Sequence, residues 1–251
     1  DGYVTNTASG KRFQGIENTG ARARLTIVPA DPLKIDLSAE FMNDGDKAAF
    51  GGINQGTFGN PAAIFFRGSG TAATGTSLRA GPLSFDPFLD RKVRSYIGRV
   101  EYDAGAATIT SISALRKLDI RDGRDLEGSA LSIIDQSSDE SSKQFTQELR
   151  IASTQDGALS LGGLVDWIIG GFYYHDTSER ADSFGLGINS AVRAAAGTPA
   201  TDVALSDYRI ESYALFGQAT FHLGDRVDLT LGGRYSHDSK RAIPAGTTTD
   251  A

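Results

Sequence analysis

The residues best suited to proton transfer or metal ligation near neutral pH are the three histidines, His175, His222 and His237. None has a second histidine or a carboxylate at a metal-binding spacing along the chain. Each ends a strand-like stretch or adjoins a turn, so all three are read as structural. Asp119, Asp122, Asp125 and Glu127 form the run D-x-x-D-x-x-D-x-E, and clustered carboxylates are what calcium requires. The run lacks the order of an EF-hand loop and reads as a solvated acidic loop. The glycine-rich stretch 51–75 contains neither a phosphate-cradling P-loop nor a dinucleotide fingerprint. There is no G-x-S-x-G elbow for a serine nucleophile. Cysteine is absent, which removes thiolate metal sites, cysteine nucleophiles and a disulfide framework. The expectation is no catalytic residues, no metal and no cofactor; the chain is not read as an enzyme.

The length of 251 residues allows one large β domain or two small ones. A formal net charge of −6 and a pI of about 5.1, with basic residues scattered along the chain, exclude a nucleic-acid footprint. Thirty glycines and the lack of any long helical period favour an all-β chain rich in turns. No apolar run approaches the roughly 18 residues of a membrane-spanning helix; the most apolar segment, 161–174, is broken by Asp166 and several glycines. A transmembrane strand needs only about 9–11 residues of alternating pattern, so a membrane remains open to this chain.

Four hairpins carry that alternation. In the first, Ala21, Ala23, Leu25 and Ile27 alternate with Arg22, Arg24 and Thr26. After the turn 29–32, Leu33, Ile35, Leu37, Ala39 and Phe41 alternate with Lys34, Asp36, Ser38 and Glu40. The second hairpin spans 92–103 and 106–118, its returning arm alternating poorly. The third pairs 143–153 with 161–176. The fourth lies within 212–240 and sets Val227, Leu229, Leu231, Gly233 and Tyr235 against Asp228, Thr230, Gly232, Arg234 and Ser236. A period of two puts one apolar and one polar face on each strand. Residues 1–16 read as a strand end entering a loop.

Stretches 43–90, 119–142 and 178–205, and the tail after Lys240, read as long loops. Short turns near 30, 104, 156 and 224 alternate with long connections near 65, 130 and 190. Up-and-down topology then sorts short turns to one end and long loops to the other, as in a bacterial outer-membrane barrel. The fold expected is therefore an all-β, transmembrane, antiparallel up-and-down β-barrel, with about 8 strands visible and long extracellular loops. Its polar inner wall would carry Arg22, Arg24, Lys34, Asp36, Glu40, Glu148, Arg150, Asp228 and Arg234, and Leu25, Leu37, Leu229 and Leu231 would face lipid.

The strings SYALFGQATFHL and VDLTLGGRYSHDSK (212–223 and 227–240), KQFTQELRIAS (143–153) and LVDWIIGGFYYHDTSE (164–179) closely resemble barrel strands of TonB-dependent outer-membrane receptors. The opening DGYVTNT and the first hairpin resemble the early barrel strands of the same family. The resemblance implies a 22-stranded barrel around a plug, of which residues 1–251 are a single-domain segment with no plug domain. An open edge facing lipid leaves backbone groups unpaired at several kcal/mol each. With no signal peptide at Asp1 and a loop-like end at 242–251, an internal segment of a longer receptor is expected.

The same resemblance implies active import, across the outer membrane of a Gram-negative bacterium, of a scarce nutrient: a siderophore, cobalamin or an oligosaccharide. The partners implied are a small-molecule or siderophore-type ligand, the TonB complex acting through the missing plug, and outer-membrane lipid; nucleic acid is not among them. In this family substrate is gripped by external loops and the top of the plug, which makes Phe65, Phe66 and Arg67 candidate substrate contacts. Two alternatives are a passive porin-type barrel, which would share every periodicity above, and a soluble β-sandwich that buries the apolar faces in a core.

Overall fold

The computed structural model describes residues 2–15, 17–46, 80–154, 157–190, 193, 201–224 and 226–250. Its body is one eight-stranded sheet of β3 (Asn18–Ala30), β4 (Leu33–Asp46), β6 (Phe88–Asp103), β7 (Ala107–Asp125), β8 (Ile134–Ser153), β9 (Val165–Leu186), β10 (Thr201–His222) and β11 (Asp228–Asp250). Spatial order follows chain order and every pairing is antiparallel, with β3 and β11 at the two edges. This is an up-and-down meander in a single layer, and the second layer of a sandwich is absent among the described residues. Short β1 (Val4–Asn6), β2 (Arg12–Phe13) and β5 (Ala80–Gly81) form a separate three-stranded sheet, where a strand end and a loop were expected.

All four hairpins form. Leu25 pairs with Leu37, Val100 with Ser111, Ile151 with Ile169, and Leu215 with Tyr235. The turn after β6 shows why its residues were chosen. Asp103 accepts a hydrogen bond from the Gly105 amide through Oδ1 at 2.8 Å, and Gly105 takes a φ of 80°, open to a residue without Cβ. The connection after β8 contains a 3-10 turn, Ala158–Ser160, and then three successive residues at positive φ, Leu161, Gly162 and Gly163, so β9 begins later than the expected 161. Turn residues Gln155, Asp156 and Asp225 lie outside the described residues.

Four loop assignments need correction. β7 runs to Asp125 and β8 starts at Ile134, so most of 119–142 is strand; β9 reaches Leu186 and β10 starts at Thr201; β4 continues to Asp46 and β6 begins at Phe88; and β11 continues to Asp250. The connection 126–133 is consequently shorter than 154–164, and strict alternation of short and long connections does not hold. The cause is physical. β11 has 23 residues, about 75 Å at about 3.3 Å per residue, against an apolar membrane layer of about 30 Å. Beyond that layer neither face of a strand needs to be apolar. The polar ends of β7, β8, β9 and β11 carry no period-two signal, although their backbones stay paired.

Candidate functional site

Following one hydrogen-bonded row across the sheet fixes the faces. Ile27, Ile35, Val100, Ser111, Leu149, Gly171, Leu215 and Tyr235 are successive partners, and so are Leu25, Leu37, Gly98, Ser113, Gln147, Tyr173, Tyr213 and His237. These two rows lie on one face. Leu229 and Leu231 fall on the same face, because they are separated from Tyr235 by even steps. The residues expected on the inner wall, from Arg22 to Arg234, all fall on the other face.

The apolar face is exposed to its surroundings: Leu215 is 69% exposed, Tyr235 72% and Leu231 59%. A contiguous apolar surface of this extent needs a non-aqueous medium or a partner. Its outline is oblique to the strands. On β4 the outward apolar residues run from Leu33 to Phe41; on β9 they run from Val165 to Tyr173. Tyr173 shares a row with Leu37, whereas Phe41 shares one with Thr177, so both ends of the stretch step by four residues between β4 and β9. Four residues are about 13 Å of strand, accumulated over four strand spacings of about 4.8 Å, about 19 Å in all. That slope corresponds to a tilt of about 35°, which is how a flat membrane cuts the strands of a barrel inclined at 35–45°. A water-exposed sheet has no reason to carry such an oblique band.

The opposite face is a lattice of charges that pair among themselves. Arg24 lies 3.3 Å from Asp36, Lys34 3.8 Å from the same carboxylate, Arg22 3.9 Å from Glu40 and Arg150 3.5 Å from Glu148; Arg99 meets Glu101. Arg234 donates to Ser236 at 3.0 Å and stacks over the rings of Phe172 (5.8 Å) and Phe216 (6.0 Å). Further toward the long-loop end, Arg180 bridges Glu140 at 3.0 Å and Asp182 at 2.8 Å, and its guanidinium holds the Asp182 carboxyl below the usual range. Arg91 clamps Asp44. Such a wall suits water and a packed polar neighbour.

At the long-loop end four segments interlock into a platform. The Asn6 carboxamide is fully buried: its oxygen accepts from the Leu83 amide at 2.9 Å, and its nitrogen donates to the Leu83 carbonyl at 3.2 Å and to Asp86 at 2.8 Å. Val4, Phe13 and Leu83 close a small apolar core beside it. Asp125 and Glu127, expected in a solvated acidic loop, are instead buried, at 3% and 9% exposure. The Asp125 carboxylate accepts from the amides of Ser84, Glu127 and Gly128, and Glu127 accepts from those of Ile133 (2.9 Å) and Ile134 (3.2 Å). Their chemistry is capping of backbone donors, a use that local spacing does not reveal. Burial, with the Asp125 charge alongside, pushes Glu127 up to about 7 against the pull of those amides. The segment 187–189 docks on the same loop through paired backbone bonds to Ser132 and Ile133.

The structure also qualifies the reading of the histidines. His222 sits between Asp166 (3.0 Å) and Asp228 (2.8 Å), on the two strands flanking its own at the short-turn end. These carboxylates, Asp166 foremost, raise its pKa. His175 lies 3.3 Å from Glu211. Both contacts cross strands, so they were visible only once register was known. Phe65, Phe66 and Arg67 lie outside the described residues, and the structure brings nothing to them.

The profile of the family described as "TonB dependent receptor-like, beta-barrel" matches residues 29–250. Among solved structures, the ferric yersiniabactin uptake receptor FyuA from Yersinia pestis matches with a TM-score of 0.66 and 19% identity, covering 100% of this chain and 36% of that one. The siderophore receptor PiuA from Acinetobacter baumannii matches with a TM-score of 0.49 and 12% identity over 90% of this chain and 39% of that one. No curated protein registers a match. The chain thus spans well under half of these structures, and at such identities the likeness to FyuA speaks for the fold. With the family profile covering nearly all of the eight-stranded sheet, and the sheet itself apolar outside and charged inside, the chain belongs to the TonB-dependent receptor β-barrel family, a family of outer-membrane transport receptors and not of enzymes.

Proposed function

We propose that residues 1–251 form part of the barrel domain of an outer-membrane receptor that binds a scarce nutrient at the cell surface and imports it with energy delivered by TonB. The observation that carries this reading is the family match over 29–250. The oblique apolar band and the self-paired polar wall support the membrane setting. Ferric siderophores are the first ligand class to test, because FyuA, similar in fold, is a ferric yersiniabactin uptake receptor; cobalamin and oligosaccharides follow. Phe65, Phe66 and Arg67 are proposed as ligand contacts on their chemistry, an aromatic pair beside a cation, suited to an aromatic or anionic ligand.

The test is uptake of radiolabelled ferric siderophore by cells carrying the full-length protein, with TonB present and deleted. Import that needs both the protein and TonB supports the reading. Accumulation that persists without TonB would instead describe a passive pore. In the importing cells, a Phe65→Ala/Phe66→Ala/Arg67→Ala variant is expected to weaken surface binding about tenfold or more, with receptor level in the membrane unchanged; unaltered binding removes these residues from the site.

A further inference from the structure

At the long-loop end one hydroxyl stands between two buried carboxyl groups. Ser84 Oγ lies 3.1 Å from Asp125 Oδ2 and 3.1 Å from Glu127 Oε1. A serine hydroxyl has a single proton and donates to only one of them. The other contact is a hydrogen bond only when that carboxyl is itself protonated and donates to Oγ. The surrounding amides decide which of the two that is. Asp125 accepts from four backbone N–H groups, those of Ser84 (3.1 Å), Phe85 (3.4 Å), Glu127 (3.1 Å) and Gly128 (2.7 Å), a set that favours the ionised form. Glu127 accepts from two, Ile133 and Ile134, and its burial beside the Asp125 charge works in the same direction as the hydroxyl geometry. The proton belongs to Glu127.

Among the described residues no cation takes that proton's place. Asp135, the cross-strand partner of Asp125, adds a third carboxyl, packed so closely on Gly185 that a Cβ there would meet its Oδ1 at 2.6 Å. Burial and the Asp125 charge raise its pKa as well. Arg124 falls on the opposite face of β7 and donates to Asp122 at 2.8 Å. Arg193, beyond β9, donates to the Leu186 carbonyl at 3.1 Å. Asp86, after β5, is held by Lys11 at 3.0 Å and by Asn6. The connection 126–133 and the segment 187–190 bring no charge besides Glu127. Every hydrogen bond between 80–86 and 125–134 among the described residues runs through Ser84 or Phe85. Segment 80–86 is in turn tied to β1 by strand pairing and by Asn6. Ionising Glu127 therefore sets two like charges against the one hydroxyl that helps join the three-stranded sheet to the barrel wall.

We propose that Ser84, Asp125 and Glu127 form a one-proton latch, closed in acid and opened in alkali, that docks the β1–β2–β5 sheet on the β7–β8 connection. The latch stands on the fold, and it adds to the import reading a long-loop surface whose shape responds to pH. A raised folded pKa makes the docking complete below about 4.5 and lost as pH rises through about 7. The test uses the full-length protein in lipid vesicles, with spin labels at Tyr3→Cys, exposed beside β1, and Ser141→Cys, exposed on β8. Pulsed EPR of the pair should show one short separation at about pH 5 giving way to a longer, broader one by about pH 9, with its midpoint near 7. Glu127→Gln, whose amide donates to Ser84 Oγ at every pH, should stay docked across the range, and Asp135→Asn should still open. A wild-type separation that ignores pH, or opening that survives in Glu127→Gln, overturns the latch. Opening lost in Asp135→Asn and kept in Glu127→Gln overturns it too, because the switch would then be Asp135. Heat-modifiable gel mobility of the same preparations separates the two levels: a wild type that shifts on boiling yet never opens loses only the latch, and one that fails to shift loses the barrel itself.

Discussion

Two buried or bracketed ionisable side chains make the clearest demands on pH. Glu127 has a folded pKa of about 7, above its ordinary 4.5. Its contribution to the platform is therefore complete below about 4.5 and is lost as pH rises through about 7. Hydrogen exchange of the 80–87 and 126–134 backbone in the full-length protein should quicken across that window, and Glu127→Gln should flatten the dependence. An exchange rate corrected for intrinsic chemistry that does not change between pH 5 and 8 would contradict the burial. His222 behaves as a raised base, its ion pairs complete below pH 6.5 and lost as pH rises through its higher folded pKa. Asp166→Asn should lower the imidazole pKa, read by NMR of labelled histidine; a pKa left in place assigns the shift to Asp228. At this scale little was legible beforehand. The acidic run 119–127 looks solvated in one dimension, and besides the neighbouring amides of 127 and 128 its carboxylates cap those of residues 84, 133 and 134, which only the fold brings near.

The strands were legible wherever the bilayer constrains them. Leu25 and Leu37, or Leu229 and Leu231, alternate with charged or polar neighbours, the pattern expected of a barrel strand with one face toward lipid and the other toward water. The same strands became unreadable past that zone: 119–125, 134–142 and 178–186 are laddered by backbone bonds, yet their side chains answer to no two-faced environment. This asymmetry predicts a sharp difference between the faces. Leu231→Arg places a charge near the middle of the band on β11 and should destabilise the folded barrel by about 2–4 kcal/mol. Thr146→Arg, on the inward face of β8 within the same band, should change stability by well under half of that. Equilibrium unfolding of the full-length protein in lipid vesicles measures both, and similar losses at the two positions would put them in one environment.

For the whole molecule, the sheet is an oblique slice of barrel wall. Its short-turn side steps with the strand tilt, since β9 starts at Val165, four residues beyond Ile169 in the row of Leu33, and its edges at β3 and β11 present unpaired backbone. In lipid such edges require neighbouring strands, which is what membership of a larger barrel supplies. The central claim is that alternate residues of one strand face lipid and lumen. Residues 1–251 hold no cysteine, so a single cysteine introduced among them meets no competing thiol from this stretch when spin-labelled. The decisive measurement is collision accessibility at 229, 230, 231 and 232 on β11 of the full-length protein in bilayers. Oxygen should win at Leu229→Cys and Leu231→Cys, and a water-soluble nickel chelate at Thr230→Cys and Gly232→Cys, with a period of two. Nickel accessibility at 229 and 231, or no alternation across the four positions, would contradict the barrel and return the leucines to a protein core.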